Sequence, residues 1–346
     1  MFFASDNAAG IAPEILEAIG RANSVYALAY GNDDWTKRVE RRFAEIFERD
    51  VAVFLVPSGT VANALALAHV TPPWGAVLCH EHSHIAVDEC GAPEFFSGGI
   101  KLIGLSGAAG KISAATLRDA LAQGQWGGPH HVSPAALSLS QATESGTIYR
   151  ASEIKELSDV AHANGLAVHI DGARLGNALA RMNISPAEAT WKAGADVLSF
   201  GATKGGAMGA EGILFFDPKR GANMLDRRKR GGALLSKHRF IAAQIEAFLA
   251  GDLWLKLARR ANDMADRLAE GLKAAGCAPV WPVEANEVFA PLTRDADERL
   301  KAAGAVYHEW EPLSVSIPAD RVLARLVTSF QTTAAEVDQF LRTLRG

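Results

Sequence analysis

The sequence is poor in cysteine and has no long hydrophobic run. Its three cysteines, Cys79, Cys90 and Cys277, are too few and odd in number for a disulfide framework, so we expect reduced thiols and a cytoplasmic location. The longest apolar runs, such as residues 51–56, are far shorter than the roughly 20 residues that cross a bilayer. The first residues lack the basic and apolar segments of a secretory signal. We therefore expect no membrane partner.

The sequence also lacks an excess of charge of one sign. Lysine and arginine total 35 and aspartate and glutamate 39, which gives a formal net charge of −4. Nucleic-acid-binding proteins normally carry a basic excess, so we expect no nucleic-acid partner. Hydrophobic residues make up 49% and charged residues 21% of the chain, a composition that excludes a disordered protein.

Short apolar runs alternate with amphipathic stretches as far as residue 237. The apolar runs predict strands at 51–56, 76–79, 135–140, 166–170, 197–200 and 212–216. The stretches between them predict helices near 58–69, 115–122, 152–164 and 185–193. This alternation is typical of an α/β fold in which a mostly parallel sheet is flanked by helices.

The pattern changes after residue 237. A long helical stretch over 239–275 precedes strand-like pieces at 287–292, 313–317 and 325–328 and a closing helix at 334–344. We expect a large domain over residues 1–237 and a smaller C-terminal α+β domain over 238–346, with the N-terminal segment able to join the smaller one. The dense basic run at 227–230 is expected to be a solvated face.

Three segments at strand ends carry residue types that together fit one cofactor. Gly59 and Thr60 begin a helix, where free N–H groups can bind a phosphate, although an ordinary helix cap has the same pattern. Asp171 ends an apolar strand, where its carboxylate can hydrogen-bond a ring nitrogen or simply cap a helix. Lys204 lies among glycine and alanine, which indicates either a flexible loop or an amine packed for Schiff-base chemistry. Together the three segments predict pyridoxal 5'-phosphate (PLP).

With these residues the sequence resembles the threonine aldolases, PLP enzymes with the aspartate-aminotransferase-like fold (fold type I), and in particular the bacterial low-specificity L-threonine aldolases. The resemblance extends over essentially the whole chain. Its motifs are SDN at 5–7, YGND at 30–33, PSGT at 57–60, SHI at 83–85, DGAR at 171–174, SFGATKGG at 199–206, GGALLSK at 231–237 and RLVT at 325–328.

The resemblance implies how the cofactor is held. Lys204 is expected to carry it covalently, and Asp171 to pair with its pyridine nitrogen. Gly59 and Thr60 are expected to bind its phosphate, and His84 to stack on its ring. No metal is implied.

The resemblance also implies a reaction and an assembly. Arg174, which borders the cofactor, and Arg325 are expected to bind the carboxylate of an amino-acid substrate, with Ser5 nearby. The expected reaction cleaves L-threonine, L-allo-threonine and other β-hydroxy-α-amino acids to glycine and an aldehyde. Members of the family are homotetramers built from dimers with active sites at the dimer interface, and the same assembly is expected here.

One position departs from the family pattern. Many members carry a histidine after the strand that corresponds to residues 135–140, and Glu144 stands there in this sequence. The group that takes the proton of the substrate's β-hydroxyl is therefore open between Glu144, His84 and a bound water.

Three alternating histidines, His80, His82 and His84, offer a second interpretation. On an extended strand they would share one face and could bind zinc. No fourth ligand at metal spacing is obvious, so ring stacking by His84 is favoured. Two further alternatives for the whole chain are another PLP-dependent lyase or aminotransferase, and a binding protein that kept the fold without the cofactor.

Overall fold

The computed structural model describes residues 1–311 and 315–346. The helices of this part of the chain are α1 (Pro13–Asn23), α2 (Asp34–Ile46), α3 (Gly59–Val70), α4 (His84–Val87), α5 (Ala92–Ser97), α6 (Ala114–Gln123), α7 (Ala151–Ala163), α8 (Leu175–Met182), α9 (Met224–Arg230), α10 (Arg239–Leu249), α11 (Leu253–Ala274), α12 (Arg294–Ala302) and α13 (Ala334–Arg345). Its strands are β1 (Ala52–Val56), β2 (Gly75–His80), β3 (Lys101–Leu105), β4 (Ser133–Ser140), β5 (Ala167–Gly172), β6 (Val197–Gly201), β7 (Glu211–Phe215), β8 (Glu287–Thr293), β9 (His308–Glu309) and β10 (Arg321–Val327).

Seven strands form one sheet in the order β1-β7-β6-β5-β4-β2-β3. Only β7 runs antiparallel to its neighbours, and the other pairs are parallel. The predicted α/β fold with a mostly parallel, helix-flanked sheet is therefore confirmed. The edge strand β3 was not predicted, because its short sequence KLIGL is interrupted by glycine and only Leu105 of its residues is buried.

The antiparallel strand β7 still contributes to the same edge of the sheet. The parallel strands all end there, and β7 begins there with Glu211, which pairs with Val56 and Gly201. Ligands of open parallel sheets bind at this carboxyl edge.

The C-terminal part forms a three-stranded antiparallel sheet in the order β8-β10-β9. The N-terminal segment pairs with this part of the molecule. The Phe3 N–H donates to the Val306 carbonyl at 2.8 Å, and the Phe3 carbonyl accepts from the Val327 N–H at 2.8 Å. The Phe3 ring packs edge-on against Phe340 at 5.2 Å between centroids. The boundary between residues 237 and 238 stays a prediction.

Two predicted helices differ from the structure. Residues 186–190 form turns, and only Trp191–Ala193 form a short 3-10 helix, because Thr190 adopts a non-helical backbone (φ −130°, ψ −100°). The stretch predicted as one helix over 239–275 is two helices, α10 and α11. Gly251 and Asp252 separate them, since both adopt left-handed φ angles of 55° and 57°.

One predicted strand and one residue of the predicted solvated face also differ from the structure, whereas Arg227, Lys229 and Arg230 are exposed as expected. Of the strand expected at 313–317, residues 313 and 314 lie outside the described residues, and residues 315–317 form no strand. Within the basic run 227–230, Arg228 is buried and donates to the Leu55 carbonyl at 3.1 Å. Burial lowers the pKa of Arg228 to about 10. None of the helices in the described part of the chain combines the length and apolar character that a membrane span requires.

Candidate active site

A cavity of about 610 Å³ opens at the carboxyl edge of the seven-stranded sheet and is closed on the other side by residues of the small sheet. Its volume is within the range of small-molecule sites. It is lined by all of the predicted site residues, namely Ser5, Gly59, Thr60, His84, Glu144, Asp171, Arg174, Lys204 and Arg325. The structure thus brings these residues together, while their individual roles stay predictions.

Lys204 lies in the turn that follows β6 and reaches the cavity. The turn is held by Glu211, whose carboxylate accepts the Ala202 N–H at 3.1 Å. Burial raises the pKa of Glu211 to about 7. Sequence reasoning missed Glu211, although an acidic residue at the start of an apolar strand was a visible signal.

Asp171 lies near the end of β5 and its carboxylate is held on both oxygens. Oδ1 accepts the Ala173 N–H at 3.0 Å, and Oδ2 accepts from Nδ2 of Asn63 at 2.8 Å. Two hydrogen bonds of this kind fix the orientation of a carboxylate that is 7% exposed. Asn63 was also missed, although it is the one polar side chain in the buried middle of the apolar helix α3.

Helix α3 begins at the cavity with Gly59 and Thr60. The Ser58 side chain caps it by accepting the Val61 N–H at 3.4 Å. The first N–H groups of a helix have no partner within it and attract anions. A Cβ atom on Gly59 would meet no atom within 4 Å, so the structure gives no steric reason for glycine there.

His84 begins the short helix α4 and borders the cavity. Its Nδ1 lies 2.9 Å from Oε1 of Glu89, whose side chain is fully buried. The same Oε1 accepts from Nδ2 of Asn63 at 2.8 Å. The hydrogen bond with Glu89 raises the pKa of His84, against the opposing effect of burial. Glu89 was not predicted from the sequence.

Glu144 follows β4 and borders the cavity. Strand β4 lies on one side of β5 in the sheet, and β6, which precedes Lys204, lies on the other side. Oε1 of Glu144 accepts the His84 backbone N–H at 2.7 Å and the Ser140 hydroxyl at 2.8 Å. Its Oε2 is buried without a hydrogen-bond partner among the described residues. Burial, and then the Asp171 carboxylate, raises the pKa of Glu144 to about 7.

Two arginines meet two acidic residues where the sheets approach each other. Arg174 donates from Nε and Nη2 to Asp6 at 2.8 and 3.0 Å, and its Nη1 lies 3.2 Å from Glu287. Arg325 donates from Nη2 to Glu287 at 2.6 Å, and its buried Nε has no partner in the described part of the chain. Burial alone would raise the pKa of Asp6, but Arg174 outweighs it and holds that pKa below its usual range.

The three alternating histidines do not share one strand face. His80 ends β2, His82 lies in a turn and His84 begins α4. Within residues 1–311 and 315–346, no group of three or more His, Cys, Asp or Glu side chains is placed to hold a metal ion.

A second cavity of about 380 Å³ adjoins the first. Both are lined by Asp88, Glu144 and Trp310, which mark the junction between them. Trp281 and Val87 give the second cavity an apolar wall. A group attached to a ligand beside Glu144 can therefore extend into an apolar space.

The sequence matches known families over most of its length. The model of the beta-eliminating lyase family matches residues 3–294. A low specificity L-threonine aldolase from Pseudomonas aeruginosa is 45% identical over 303 residues, which are 87% of this chain and 87% of that protein. A low-specificity L-threonine aldolase from Candida albicans is 26% identical over 76% of this chain and 69% of that protein.

Solved structures of other proteins resemble this chain as well. A threonine aldolase from Leishmania major superposes with a TM-score of 0.93 and 29% identity, over 99% of this chain and 98% of that one. An SPT structure with PLP shares the fold, with a TM-score of 0.74 and 17% identity over 100% of this chain and 86% of that one. The chain therefore belongs to the beta-eliminating lyase family, and within that family of lyases to the threonine aldolases.

Proposed function

We propose that this protein is a PLP-dependent aldolase that cleaves L-threonine, L-allo-threonine and related β-hydroxy-α-amino acids to glycine and an aldehyde. One observation carries the proposal. The amine of Lys204, the carboxylate of Asp171 and the start of α3 border the same cavity as the guanidinium of Arg325. The names of the relatives support the same reaction.

The residues at the cavity fit PLP. The free N–H groups at the start of α3 suit its phosphate, and the fixed, nearly buried Asp171 carboxylate suits a protonated ring nitrogen. Lys204 supplies the amine for covalent attachment, and His84 lies beside the same space. When bound, PLP serves as the electron sink that makes a bond at the α-carbon of an amino acid labile.

The arginines suit the carboxylate of the substrate. Nε of Arg325 has no partner among the described residues. Nη1 of Arg174 carries two N–H groups, and its contact with Glu287 at 3.2 Å uses at most one of them. Ser5 lies nearby, where its hydroxyl accepts the Asn7 N–H at 3.1 Å. Holding the carboxylate selects which bond at the α-carbon is aligned for cleavage.

Glu144 suits the role of the β-hydroxyl base. Its Oε2 has no protein partner in the described residues, and its pKa of about 7 makes it both a proton acceptor and a proton donor near neutral pH. The adjoining apolar cavity accommodates β-substituents larger than methyl, in keeping with low specificity.

A product assay with L-threonine and L-allo-threonine tests the proposal. We expect glycine and acetaldehyde in equal amounts, and a Lys204→Ala variant without turnover. Formation of a keto acid instead would identify an aminotransferase, and a wild-type protein that releases no glycine would overturn the proposal.

We further propose a cytoplasmic homotetramer, a dimer of dimers. The cytoplasmic location rests on the sparse, unpaired cysteines. The assembly is supported by exposed large apolar side chains in a short segment, namely Val25, Tyr26, Leu28 and Tyr30, which are typical of a surface covered by another chain. Light scattering of the purified protein tests the assembly, and a monomer at micromolar concentration would contradict it.

A further inference from the structure

Glu89 is a buried acidic residue to which the proposed reaction gives no role. Its side chain has no solvent exposure, yet it lies just after the helix that carries His84. Its Oε1 receives two hydrogen bonds, from Nδ1 of His84 at 2.9 Å and from Nδ2 of Asn63 at 2.8 Å. A carboxyl group is expensive to bury, so two donors on one oxygen indicate a specific arrangement.

Asn63 extends this arrangement to Asp171. Its amide nitrogen has two hydrogens and lies 2.8 Å from Oε1 of Glu89 and 2.8 Å from Oδ2 of Asp171. The reversed amide would place a carbonyl oxygen against two carboxylates, so the observed orientation is the stable one. His84, Glu89, Asn63 and Asp171 therefore form one continuous chain of hydrogen bonds.

An ionised carboxylate only accepts hydrogen bonds, so Glu89 requires the proton of the His84 ring to lie on Nδ1. The other ring nitrogen, Nε2, has no hydrogen-bond partner in the described part of the chain, and the His84 side chain is 36% exposed beside the cavity. The contact thus determines both which way the ring faces and which nitrogen is available.

We infer that Glu89 is a positioning residue, which fixes the His84 ring with Nε2 toward the cavity and, through Asn63, ties it to the Asp171 carboxylate. The consequence for catalysis rests on the proposed function, in which His84 and Asp171 lie on the face and at the nitrogen of the same cofactor ring. The arrangement of the side chains does not depend on it. One buried carboxylate thereby sets the relative placement of two groups that come from α4 and β5.

The charge that His84 experiences is the property to measure. The carboxylates of Glu89 and Asp171 and the amine of Lys204 act on its ring, and Glu144 binds its backbone N–H. The largest of these effects is the hydrogen bond with Glu89, which raises the pKa of His84. Removing the charge of Glu89 while keeping its shape should therefore lower that pKa.

The rate of modification by diethyl pyrocarbonate measures the pKa of His84, because a histidine ring reacts only in its neutral form. The full-length protein without added cofactor is modified over a range of pH, and tandem mass spectrometry gives the rate at each histidine. In the wild type we expect the midpoint of the His84 rate-against-pH curve to lie at higher pH than that of a short, unstructured peptide that contains one histidine. In Glu89→Gln we expect it to move to lower pH.

The matched control is Glu81→Gln, which removes a carboxylate 3.9 Å from the neighbouring His82 and should leave the His84 midpoint unchanged. With threonine as substrate, kcat/KM of Glu89→Gln should fall by about 10- to 100-fold, the size of effect known for carboxylates that orient metal-ligating histidines. A wild-type His84 midpoint no higher than that of the reference peptide, or an unchanged midpoint in folded Glu89→Gln, would overturn the inference. A wild type that cleaves no threonine would overturn the proposed function and leave the modification result to decide the role of Glu89.

Discussion

At the level of single residues, the candidate site contains buried acidic side chains whose pKa values lie above the usual range. Glu144 and Glu211 both have pKa values raised to about 7 by burial, and both border the cavity. Glu211 uses its carboxylate to hold the turn before Lys204, whereas one oxygen of Glu144 is unused by the described residues. Such a difference separates an acid that supports the backbone from one that is available to a substrate.

Replacing Glu144 with glutamine tests its role as base. The amide keeps an oxygen for the His84 N–H and the Ser140 hydroxyl, so the fold should be retained. Loss of a general base typically lowers the rate about 10²- to 10⁴-fold, and we expect kcat/KM for threonine to fall within that range. Circular dichroism of the variant serves as the control for folding.

The same residue predicts a pH dependence. The basic form of Glu144 is the carboxylate, which is lost as the pH falls through about 7. The kcat/KM of the wild type should therefore decline on the acidic side of about pH 7, and Glu144→Gln should lack this limb. A variant with wild-type rate and the same acidic limb would assign the proton transfer to another group, such as His84.

Several residues of the candidate site could be predicted from the sequence, because their neighbours in the chain already indicate their chemistry. These are the phosphate-binding turn, the aspartate at a strand end and the lysine between glycine and alanine residues. Asn63, Glu89 and Glu211 were not predicted. Glu89 and Glu211 contact His84 and Ala202, which are only 5 and 9 positions away. Asn63, in contrast, contacts Asp171, which is 108 positions away. A single sequence contains no signal for such a pair beyond a polar residue in an apolar helix.

At the scale of elements, the strands were predicted well because buried parallel strands are short continuous apolar runs. The edge strand β3, of which only Leu105 is buried, has no such run. The ends of the helices were harder to predict from the sequence. The break between α10 and α11 depends on left-handed backbone at Gly251 and Asp252, and a glycine within an amphipathic stretch is equally compatible with a continuous helix.

Two glycine substitutions test this break. Gly251 has a φ of 55°, where a side chain is strained, so Gly251→Ala should lower the free energy of unfolding by about 1–2 kcal/mol. Gly20 lies within α1, so Gly20→Ala should raise it by about 0.5–1 kcal/mol. A Cβ atom would meet nothing within 4 Å at either position, so packing does not differ between them. Urea unfolding of both variants is the measurement, and changes of the same sign would contradict the account.

At the scale of the whole molecule, a buried charge network connects three parts of the chain. Asp6 belongs to the N-terminal segment, Arg174 follows β5 of the large sheet, and Glu287 begins β8 of the small sheet. Asn286 adds a hydrogen bond to Asp6 at 3.0 Å. The network explains how the N-terminal segment reaches the site, and the sequence-based division into residues 1–237 and 238–346 stays a prediction.

Arg174→Met tests the network. It leaves Asp6 buried without an arginine partner and leaves Glu287 paired with Arg325 alone. The loss of one member of a buried ion pair typically lowers stability by about 3–5 kcal/mol. Arg267→Met is the matched control, because Arg267 binds Asp338 through the same Nε and Nη2 atoms at 2.8 Å on an exposed surface. We expect the control to change the free energy of unfolding by less than about 1 kcal/mol. Equal losses of unfolding free energy in the two variants would show that the buried network stabilises the protein no more than the exposed ion pair does.

The central claim is that Lys204 is the residue that carries PLP. The full-length protein is incubated with PLP, reduced with sodium borohydride and digested, and the peptides are analysed by mass spectrometry. We expect the reduced adduct on Lys204 of the wild type and no adduct in Lys204→Ala. An adduct on another lysine of the wild type, or no adduct at all, would contradict this claim.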